Sequence, residues 1–426
     1  MVFCLITFII TFLLGFPIAF SLILSSAIGL TISGMSLVTL VQKVVTGMDS
    51  FPLLAIFFFI LAGNLMMSGK LTKELLDFTN LLVGRFRGGL IYVNVLASIV
   101  FAGLSGSAVA DTAGLGMIEI PLMIEDGYTK EFSTAVTIAS SIIGPIIPPS
   151  IMMVILAMIN NVSVGALFLA GFIPGLLIGI SIAIMGYILV GRKHKNKKKK
   201  ILFFSKESIL VIRDSIIALL MPIIILGGIL GGVFTATEAA AVASVYGLII
   251  CIFRGTINLE VLKEVLISSL KTTTNVLIII GSANIFCYLL LINSVPRILS
   301  DFFFSISNNP SIVLLLMVIL LLLMGCFIEA GAVYIIMTPI LKPIAMSIGL
   351  DPIHFSLIII VTTCIGLITP PFGLCLFVGS SISKVPIQKI IKETYPFILM
   401  EITVLLLICY FPIFTLYLPK ALGYIK

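Results

Sequence analysis

Two short segments place glycine beside hydroxyl or carboxyl side chains within apolar sequence. They hold Ser105, Gly106, Ser107 and Asp111 in FAGLSGSAVAD, and Gly325, Glu329 and Gly331 in MGCFIEAGAV. An irregular polar turn is tolerated inside a membrane only where it faces protein or a wet cavity, because unpaired backbone groups in lipid cost several kcal/mol each. Each segment therefore predicts the tip of a re-entrant helical hairpin that faces a cavity. The alternative is that these small residues only let helices pack closely.

A Pro-Pro pair follows each predicted tip along the chain. The sequences are SSIIGPIIPPS at 140–150 and TTCIGLITPPFG at 362–373. Proline removes a backbone N–H donor and clashes with the preceding helical turn, so two in succession leave carbonyl oxygens unpaired. With nearby Ser and Thr hydroxyls, these carbonyls form a hard oxygen ligand set that suits Na⁺ in discontinuous helices. A simple kink explains one such site, whereas two matched sites beside two tips favour ion binding.

Ionisable residues within apolar stretches are costly and are functional candidates by default. Here they are Asp111, Glu119, Glu238, Glu329, Lys342 and Glu401. A proton relay needs a chain of such groups, which the sequence does not offer. For Glu119 and Lys342, a solvated or paired structural role is an equal alternative. Glu238 follows Thr235 and Thr237 at a predicted helix start, where it is expected to cap the helix.

Composition excludes a soluble globular enzyme. Of 426 residues, 60% are apolar and 10% charged, against about 45–50% and about 25% in soluble domains. Apolar runs longer than the roughly 18 residues needed to cross a bilayer recur along the chain, which predicts one all-α polytopic membrane protein. The apolar N-terminus lacks a basic start and a cleavage site, so we interpret it as a retained membrane segment. Residues 2–33 fit either one long helix or two short ones.

Cysteine and histidine usage argues against redox or metal chemistry. The seven cysteines are scattered without a C-x-x-C pair, and there are two histidines. Neither a disulfide framework, a zinc site nor a histidine-based triad is indicated, so we expect no enzyme activity and no cofactor. The basic run RKHKNKKKK lies in one short loop, which marks a cytoplasmic face rather than a nucleic-acid surface.

The two halves of the chain match at a fixed offset of 222 residues. The coincident pairs are Gly103 and Gly325, Pro121 and Pro343, Gly127 and Gly349, Gly144 and Gly366, Pro148 and Pro370, and Pro149 and Pro371. Ser140 and Ser141 also coincide with Thr362 and Thr363. Two Pro-Pro pairs in register favour internal duplication over chance, and duplicated halves are typical of secondary transporters.

The distribution of basic residues indicates that the repeats are inverted. The first repeat is flanked by Lys70, Lys73, Arg85, Arg87 and Lys130, whereas the equivalent flanks of the second hold only Arg297. By the positive-inside rule the former are cytoplasmic and the latter external. We predict a first repeat at 1–190 (hairpin 89–123, broken helix 131–160), a basic cytoplasmic linker at 191–207, and a second repeat at 208–426 (hairpin 309–346, broken helix 354–382). Amphipathic stretches at 70–87 and 255–271 are predicted to lie along the membrane surface.

At these motifs the sequence resembles the large membrane subunit of tripartite ATP-independent periplasmic (TRAP) transporters, within the ion-transporter superfamily of elevator carriers. The resemblance extends over essentially the whole chain. It is carried by GLSGSAVADTAGLG at 103–116, SSIIGPIIPPSI at 140–151, AGFIPGLL at 170–177, GGVFTATEAAAVASVYGL at 231–248 and IGLITPPFGLCLFV at 365–378. One departure is Ala236, where the family usually has proline.

The resemblance implies an inner-membrane carrier coupled to sodium, in which hairpins and broken helices move as one transport domain against a scaffold. It implies two partners, a periplasmic binding protein and a separate small four-helix membrane subunit, and a small anionic substrate bound between the tips. The sodium candidates are Ser105, Gly106, Ser107, Ser140, Ser141, Gly144, Gly325, Gly331, Thr362, Thr363, Cys364, Gly366 and Thr369. The substrate candidates are Ser107, Asp111, Pro148, Ser150, Glu329, Pro370 and Gly373.

The substrate stays open at this point. Sialic acid, C4-dicarboxylates and other carboxylated molecules all fit a site of hydroxyls and helix dipoles, with a slight preference for sialic acid. The main alternative is a dicarboxylate or citrate carrier of the same superfamily that works without a binding protein. A channel or a membrane scaffold for a partner enzyme is a remote alternative, because neither accounts for paired inverted hairpins.

Overall fold

The computed structural model describes residues 2–68, 71–191 and 206–425, which form helices joined by short turns. The helices of the first half are α1 (Val2–Leu13), α2 (Ile18–Ile32), α3 (Val38–Met48), α4 (Leu54–Ser68), α5 (Leu71–Val83), α6 (Gly89–Ser105), α7 (Ala108–Gly114), α8 (Gly116–Asp126), α9 (Lys130–Ser141), α10 (Ile151–Asn160) and α11 (Val164–Gly186). A 3-10 turn, Phe51–Leu53, precedes α4, and a π turn, Tyr187–Gly191, follows α11.

The helices of the second half are α12 (Lys206–Leu230), α13 (Ala236–Phe253), α14 (Leu259–Ile292), α15 (Val295–Ile306), α16 (Pro310–Phe327), α17 (Ala330–Ser347), α18 (Pro352–Gly366), α19 (Leu374–Ser383), α20 (Ile387–Tyr410) and α21 (Ile413–Ala421). Within the described residues, eight helices are long and apolar enough to cross a membrane: α4 with its 3-10 turn, α11 with its π turn, α12, α13, α14, α16, α17 and α20. The expected all-helical, polytopic architecture is therefore confirmed.

Helix boundaries recur at the 222-residue offset. When 222 is added to their first residues, the helices from α5 to α11, apart from α8, begin within about two residues of the helices from α15 to α20. The halves differ in two places. The second arm of the first hairpin divides into α7 and α8, whereas α17 is continuous, and the separate α3 and α4 correspond to the single helix α14.

Three expectations are corrected or completed by these boundaries. Residues 259–271 are not a separate surface helix but the first part of α14, whose 34 residues extend about 51 Å at 1.5 Å per residue. The last crossing, which the sequence predicts at 390–418, is interrupted between α20 and α21 at Phe411 and Pro412. Residues 2–33 form two helices, because Gly15 has a positive φ of 81° and Pro17 precedes the second. The predicted linker falls mainly on residues 192–205, outside the described part.

The capping role predicted for Glu238 is confirmed. The Thr235 hydroxyl accepts from the Glu238 backbone N–H at 3.3 Å, and the Glu238 carboxylate accepts from the Thr235 N–H at 2.8 Å. Together these bonds form a capping box that satisfies two backbone donors at the start of α13.

The contacts between helices divide them into two groups. In the first, which we call the scaffold, α13 packs on α4, and α14 packs on α2, α3 and α4. In the second, the hairpin and broken-helix elements pack on one another: α16 on α18, α10 on α17, and α19 on α7 and α9. The crossings α11 and α20 pack on this second group. The two groups meet where α4 contacts α6 and α10, and where α14 contacts α17.

An ion pair fixes α5 to the scaffold. Arg254, the residue that follows α13, pairs with the Glu74 carboxylate and donates to the Asp214 carbonyl oxygen at 3.2 Å. The Ser215 hydroxyl donates to the Glu74 backbone oxygen at 2.9 Å. Burial raises the pKa of the Glu74 carboxyl, and the Arg254 guanidinium opposes that rise. The helix that leads into the first hairpin is therefore held at its first turn.

Candidate functional site

A cavity of about 220 Å³ lies between the two hairpin tips and the scaffold. On the scaffold side it is lined by Ile60, Gly63, Asn64 and Met67 of α4, and by Thr272 and Val276 of α14. On the opposite side it is lined by Phe101, Gly106, Ser107, Ala110, Ile151, Met152 and Glu329. Among these described lining residues, Glu329 is the single ionisable one. The cavity therefore joins both predicted tips and the restart of the first broken helix at one site.

The first tip is the turn between α6 and α7. Gly106 has a positive φ of 60°, and a β-carbon on it would lie 2.9 Å from the backbone nitrogen of Ile151. Glycine is required here both for the left-handed conformation and for this close approach. Ser107 caps α7, where its hydroxyl accepts from the Ala110 N–H at 3.4 Å. Ser105 is the last residue of α6.

The first broken helix consists of α9 and α10, with the turn 142–149 between them. Ser150 caps α10, and its hydroxyl accepts from the Met153 N–H at 3.4 Å. Pro148 and Pro149 are joined by a cis peptide bond. Ile151 and Met152, the first two residues of α10, both line the cavity. The helix restart therefore lies against the first tip.

A buried hydrogen-bond network joins α6 to α9. The Asn94 amide donates to the Thr137 hydroxyl at 2.7 Å, and the Ser140 hydroxyl donates to the Asn94 Oδ1 at 2.6 Å. Ser98 in turn donates to the Ser140 oxygen at 3.0 Å. All four side chains are buried. Because every polar atom in such a network depends on its neighbours, the first arm of the hairpin and the broken helix are held in one arrangement.

Asp111 faces the broken helix rather than the cavity. A β-carbon on Gly144 would lie 2.0 Å from the Asp111 Oδ2, so glycine makes room for this fully buried carboxylate. The neighbouring Thr112 hydroxyl donates to the Ser141 oxygen at 2.7 Å. A carboxylate and two hydroxyls thus gather at the turn after α9. These carboxylate and hydroxyl oxygens suit a hard cation such as Na⁺.

The second tip is the turn between α16 and α17. Glu329 precedes α17, and its carboxylate oxygens lie 3.3 and 3.5 Å from where a β-carbon on Gly331 would stand. The carboxylate therefore covers the first turn of α17. Behind the tip, Gly325 lies against the second broken helix, since its β-carbon would be 3.0 Å from the Thr363 carbonyl oxygen.

The second broken helix consists of α18 and α19, with cis-linked Pro370 and Pro371 between them. The Gly373 N–H donates to the Cys326 carbonyl oxygen at 3.1 Å, which ties the restart to the hairpin. The hydroxyls of Thr363 and Thr369 donate to carbonyl oxygens of α18, those of Ile359 and Ile365, each at 2.7 Å. Cys364 lies 3.7 Å from the Tyr334 hydroxyl. Hydroxyl and carbonyl oxygens therefore surround this turn.

The structure therefore divides the candidate residues into three places. Ser107 and Glu329 line the cavity, and Ser150 directly precedes the lining residue Ile151 in the sequence. Ser140, Ser141, Gly144 and Asp111 meet at the first break, while Gly325, Thr363 and Gly366 meet at the second. Pro148, Pro370 and Gly373 are absent from the described cavity lining and shape the turns instead.

Asn64 and Thr272 are cavity residues that sequence reasoning missed. Both lie on scaffold helices, one within the apolar run of α4 and the other beside Lys271 in α14. A polar side chain within an apolar crossing is a sign of a functional residue. Whether that side chain faces the cavity depends on how the helices pack, which the sequence does not show. The apolar lining residues Phe101, Met67 and Met152 carry no such sign.

The other ionisable residues lie away from the cavity lining. The Lys342 ammonium donates to the Asn160 carbonyl oxygen at 3.0 Å, and so links α17 to the end of α10. This bond supports the structural role considered for Lys342. Glu119 and Glu401 are buried, and neither carboxylate accepts a hydrogen bond from the described residues.

Comparison with known proteins places these features in a family. A family profile described as "Tripartite ATP-independent periplasmic transporter, DctM component" matches residues 5–414. The chain is 38% identical over 385 residues to a sialic acid TRAP transporter large permease protein from Vibrio cholerae, covering 90% of each chain. It is 38% identical over 376 residues to a C4-dicarboxylate TRAP transporter large permease protein from Pseudomonas aeruginosa, covering 88% of each.

A solved structure shares the fold. The YdaH transporter of Alcanivorax borkumensis superposes with a TM-score of 0.63 over 87% of this chain and 86% of its own, at 15% sequence identity. At that identity the likeness concerns the fold alone.

Proposed function

Since the chain belongs to the family of the DctM component of tripartite ATP-independent periplasmic transporters, we propose that it takes up an organic carboxylate by sodium-coupled secondary transport. Members of this family are multi-pass proteins of the bacterial inner membrane. The observation that carries the proposal is the cavity that brings the two hairpin tips, at Ser107 and Glu329, together against the scaffold. A binding site at the interface of two repeats is the expected place for substrate in a secondary transporter.

The coupling ions would bind at the two breaks. The first site has the carboxylate of Asp111 and the hydroxyls of Thr112 and Ser141 beside Gly144. The second has the carbonyl of Thr363 and nearby hydroxyls beside Gly325. Both sites lie directly behind a tip, so a bound Na⁺ would stabilise the tip in the conformation that binds substrate.

The anionic substrate would depend on these ions. The described cavity lining contains no Lys or Arg, and it includes the carboxylate of Glu329. Attraction for an anion must come from backbone N–H groups, such as those at the start of α10, and from bound Na⁺. Binding of substrate and sodium would therefore be mutually dependent, which is the requirement for symport.

The packing supports an elevator mechanism. The hairpin and broken-helix elements pack mainly on one another, and the cavity lies where they meet α4 and α14. Moving this group as one body past the scaffold would expose the cavity first to one side of the membrane and then to the other. The tie between Lys342 of α17 and Asn160 of α10 joins elements from both halves, which favours such a unit.

Two partners complete the proposal. A soluble periplasmic protein would deliver the carboxylate, and a small four-helix membrane subunit would associate with the scaffold. Among carboxylates, sialic acid and C4-dicarboxylates are each named for one of the relatives above, and we favour sialic acid.

The test is uptake of labelled sialic acid into proteoliposomes, with each component omitted in turn. We expect uptake only when the chain, its small subunit, the binding protein and an inward Na⁺ gradient are all present. Sodium-driven uptake that persists without the binding protein would replace this proposal with a self-sufficient carrier. Saturable counterflow separates either carrier from a channel.

A further inference from the structure

The scaffold wall of the cavity carries two polar side chains, Asn64 of α4 and Thr272 of α14. Around them the wall is made of Ile60, Gly63, Met67 and Val276. Asn64 and Thr272 therefore provide the hydrogen-bonding groups of this wall in the described lining.

The orientation of the Asn64 amide follows from its neighbour Ser269. The Ser269 hydroxyl donates to the Val265 carbonyl oxygen at 2.8 Å, so its own oxygen must accept from Asn64, whose Nδ2 lies 2.9 Å away. The amide nitrogen is thereby assigned to Ser269. The Asn64 Oδ1 accepts from no described residue, which leaves this oxygen as an acceptor for a ligand.

Thr272 presents an acceptor for the same reason. Its hydroxyl proton is used in a bond to the Ser268 carbonyl oxygen at 3.0 Å. The Thr272 side chain is exposed and lines the cavity, so its oxygen can still accept a bond from a ligand. A ligand against this wall therefore meets oxygen acceptors at Asn64 and Thr272.

These two side chains match neutral donors on a substrate better than they match a second carboxylate. A hydroxyl or an amide N–H on the substrate can donate to the Asn64 Oδ1 and to the Thr272 oxygen. An ionised carboxylate only accepts, so it could bond here only through the second Nδ2–H of Asn64 or by displacing the bond from Thr272 to Ser268. A second carboxylate would also face the Glu329 side chain without a Lys or Arg in the described lining. Placing like charges together without a compensating cation is costly, and mismatched polar partners lower the affinity further.

We infer that Asn64 and Thr272 determine specificity by binding hydroxyl or amide groups on the body of the substrate, so that the cavity selects a hydroxylated monocarboxylate over a short dicarboxylate. The inference rests on the proposed function and makes it narrower. The inferred contacts lie on the scaffold wall of the cavity, whereas the carboxylate of the substrate would bind on the side of the two tips.

The test compares two threonines on one helix. Thr272→Val removes the hydroxyl at nearly constant volume, and Thr274→Val makes the same change at an exposed position outside the cavity lining. Uptake of labelled N-acetylneuraminate and gluconate is measured in the reconstituted complex, with succinate as competitor. Thr272→Val should raise KM about 3- to 10-fold, the equivalent of one neutral hydrogen bond, with little change in kcat.

Three controls keep the outcome interpretable. Thr274→Val should match the parent chain, and Thr272→Ser should restore KM because it keeps the hydroxyl. In the parent chain, succinate should compete poorly. Equal KM values for Thr272→Val and Thr274→Val, or succinate competing as well as the hydroxylated acids, would overturn the inference while leaving carboxylate transport intact. Absence of any carboxylate uptake by the parent complex would instead overturn the proposed function itself, and the inference with it.

Discussion

The backbones of Gly325 and Gly366 meet so closely that a side chain on Gly366 would overlap the backbone of Gly325. A β-carbon on Gly366 would lie 2.7 Å from the Cα of Gly325, and one on Gly325 would lie 3.3 Å from the Cα of Gly366. The contact joins the second hairpin to the second broken helix immediately behind the Glu329 tip. Residues at the same offset in the first half make a different contact, because Gly144 there receives the carboxylate of Asp111.

Replacing Gly366 with alanine should impair uptake by displacing the second tip. The new methyl group meets backbone atoms, which cannot rotate away, and overpacking of this kind costs about 1–3 kcal/mol. Gly227→Ala is the matched control, since a β-carbon there contacts nothing within 4 Å. Thermal unfolding and uptake are measured on both. Equal uptake by the two variants would show that the close contact is not required.

Asp111→Asn should weaken sodium activation more than it weakens folding. The change keeps the size of the side chain beside Gly144 but removes its charge. A charge-assisted contact is worth about 1.5–3 kcal/mol, so the Na⁺ concentration for half-maximal uptake should rise about 10-fold or more. Asp301→Asn, at an exposed position of α15, serves as the control. An unchanged sodium dependence in Asp111→Asn would place the first ion elsewhere.

Ser140→Ala should destabilise the first hairpin. It leaves the Oδ1 of buried Asn94 without the bond at 2.6 Å, and an unsatisfied buried acceptor costs about 1–3 kcal/mol. Thr403→Ala, whose hydroxyl bonds only within its own exposed turn, should change stability by about 0.5 kcal/mol or less. The midpoint of thermal unfolding in detergent distinguishes them. Similar midpoints would mean that Asn94 finds another donor.

Arg254→Ala should destabilise the anchor of α5 in a pH-dependent way. Burial already raises the pKa of Glu74, and loss of the opposing guanidinium raises it further. An acid whose folded pKa is raised gains stability as pH falls toward its unfolded pKa. The deficit of Arg254→Ala relative to the parent chain should therefore shrink at mildly acidic pH.

Adding Glu74→Gln to Arg254→Ala supplies the check on that explanation. With no carboxylate left to bury, the double variant should recover part of the lost stability and lose the pH-dependent deficit. A deficit that is independent of pH, or undiminished in the double variant, would contradict it.

The tips and breaks could be predicted from sequence because they are local backbone chemistry. Glycine is required at Gly106 by the positive φ and by the close approach to Ile151. Two prolines in succession, as at Pro148 and Pro370, interrupt the helix. The cavity wall could not be predicted in this way. Asn64 and Thr272 sit in regular helices, and only the packing of α4 against α14 brings them to the same surface.

The 222-residue offset between the halves predicts where helices begin, but it does not predict which side chains join a hairpin to its broken helix. Asn94 and Thr137 bond to each other in the first half, but their counterparts are Leu316 and Ile359. One hairpin is joined to its broken helix by polar bonds and the other by glycine contact. The backbone pattern repeats, whereas the side chains that fix each hairpin do not.

Sodium coupling is tested most directly by concentrative uptake in proteoliposomes that hold the complete complex and the binding protein. With an inward Na⁺ gradient, labelled sialic acid should accumulate above its external concentration. Adding a sodium ionophore should release the accumulated label, and an equal K⁺ gradient should support no accumulation. Accumulation that persists after the sodium gradient is collapsed would contradict sodium-driven transport through this cavity.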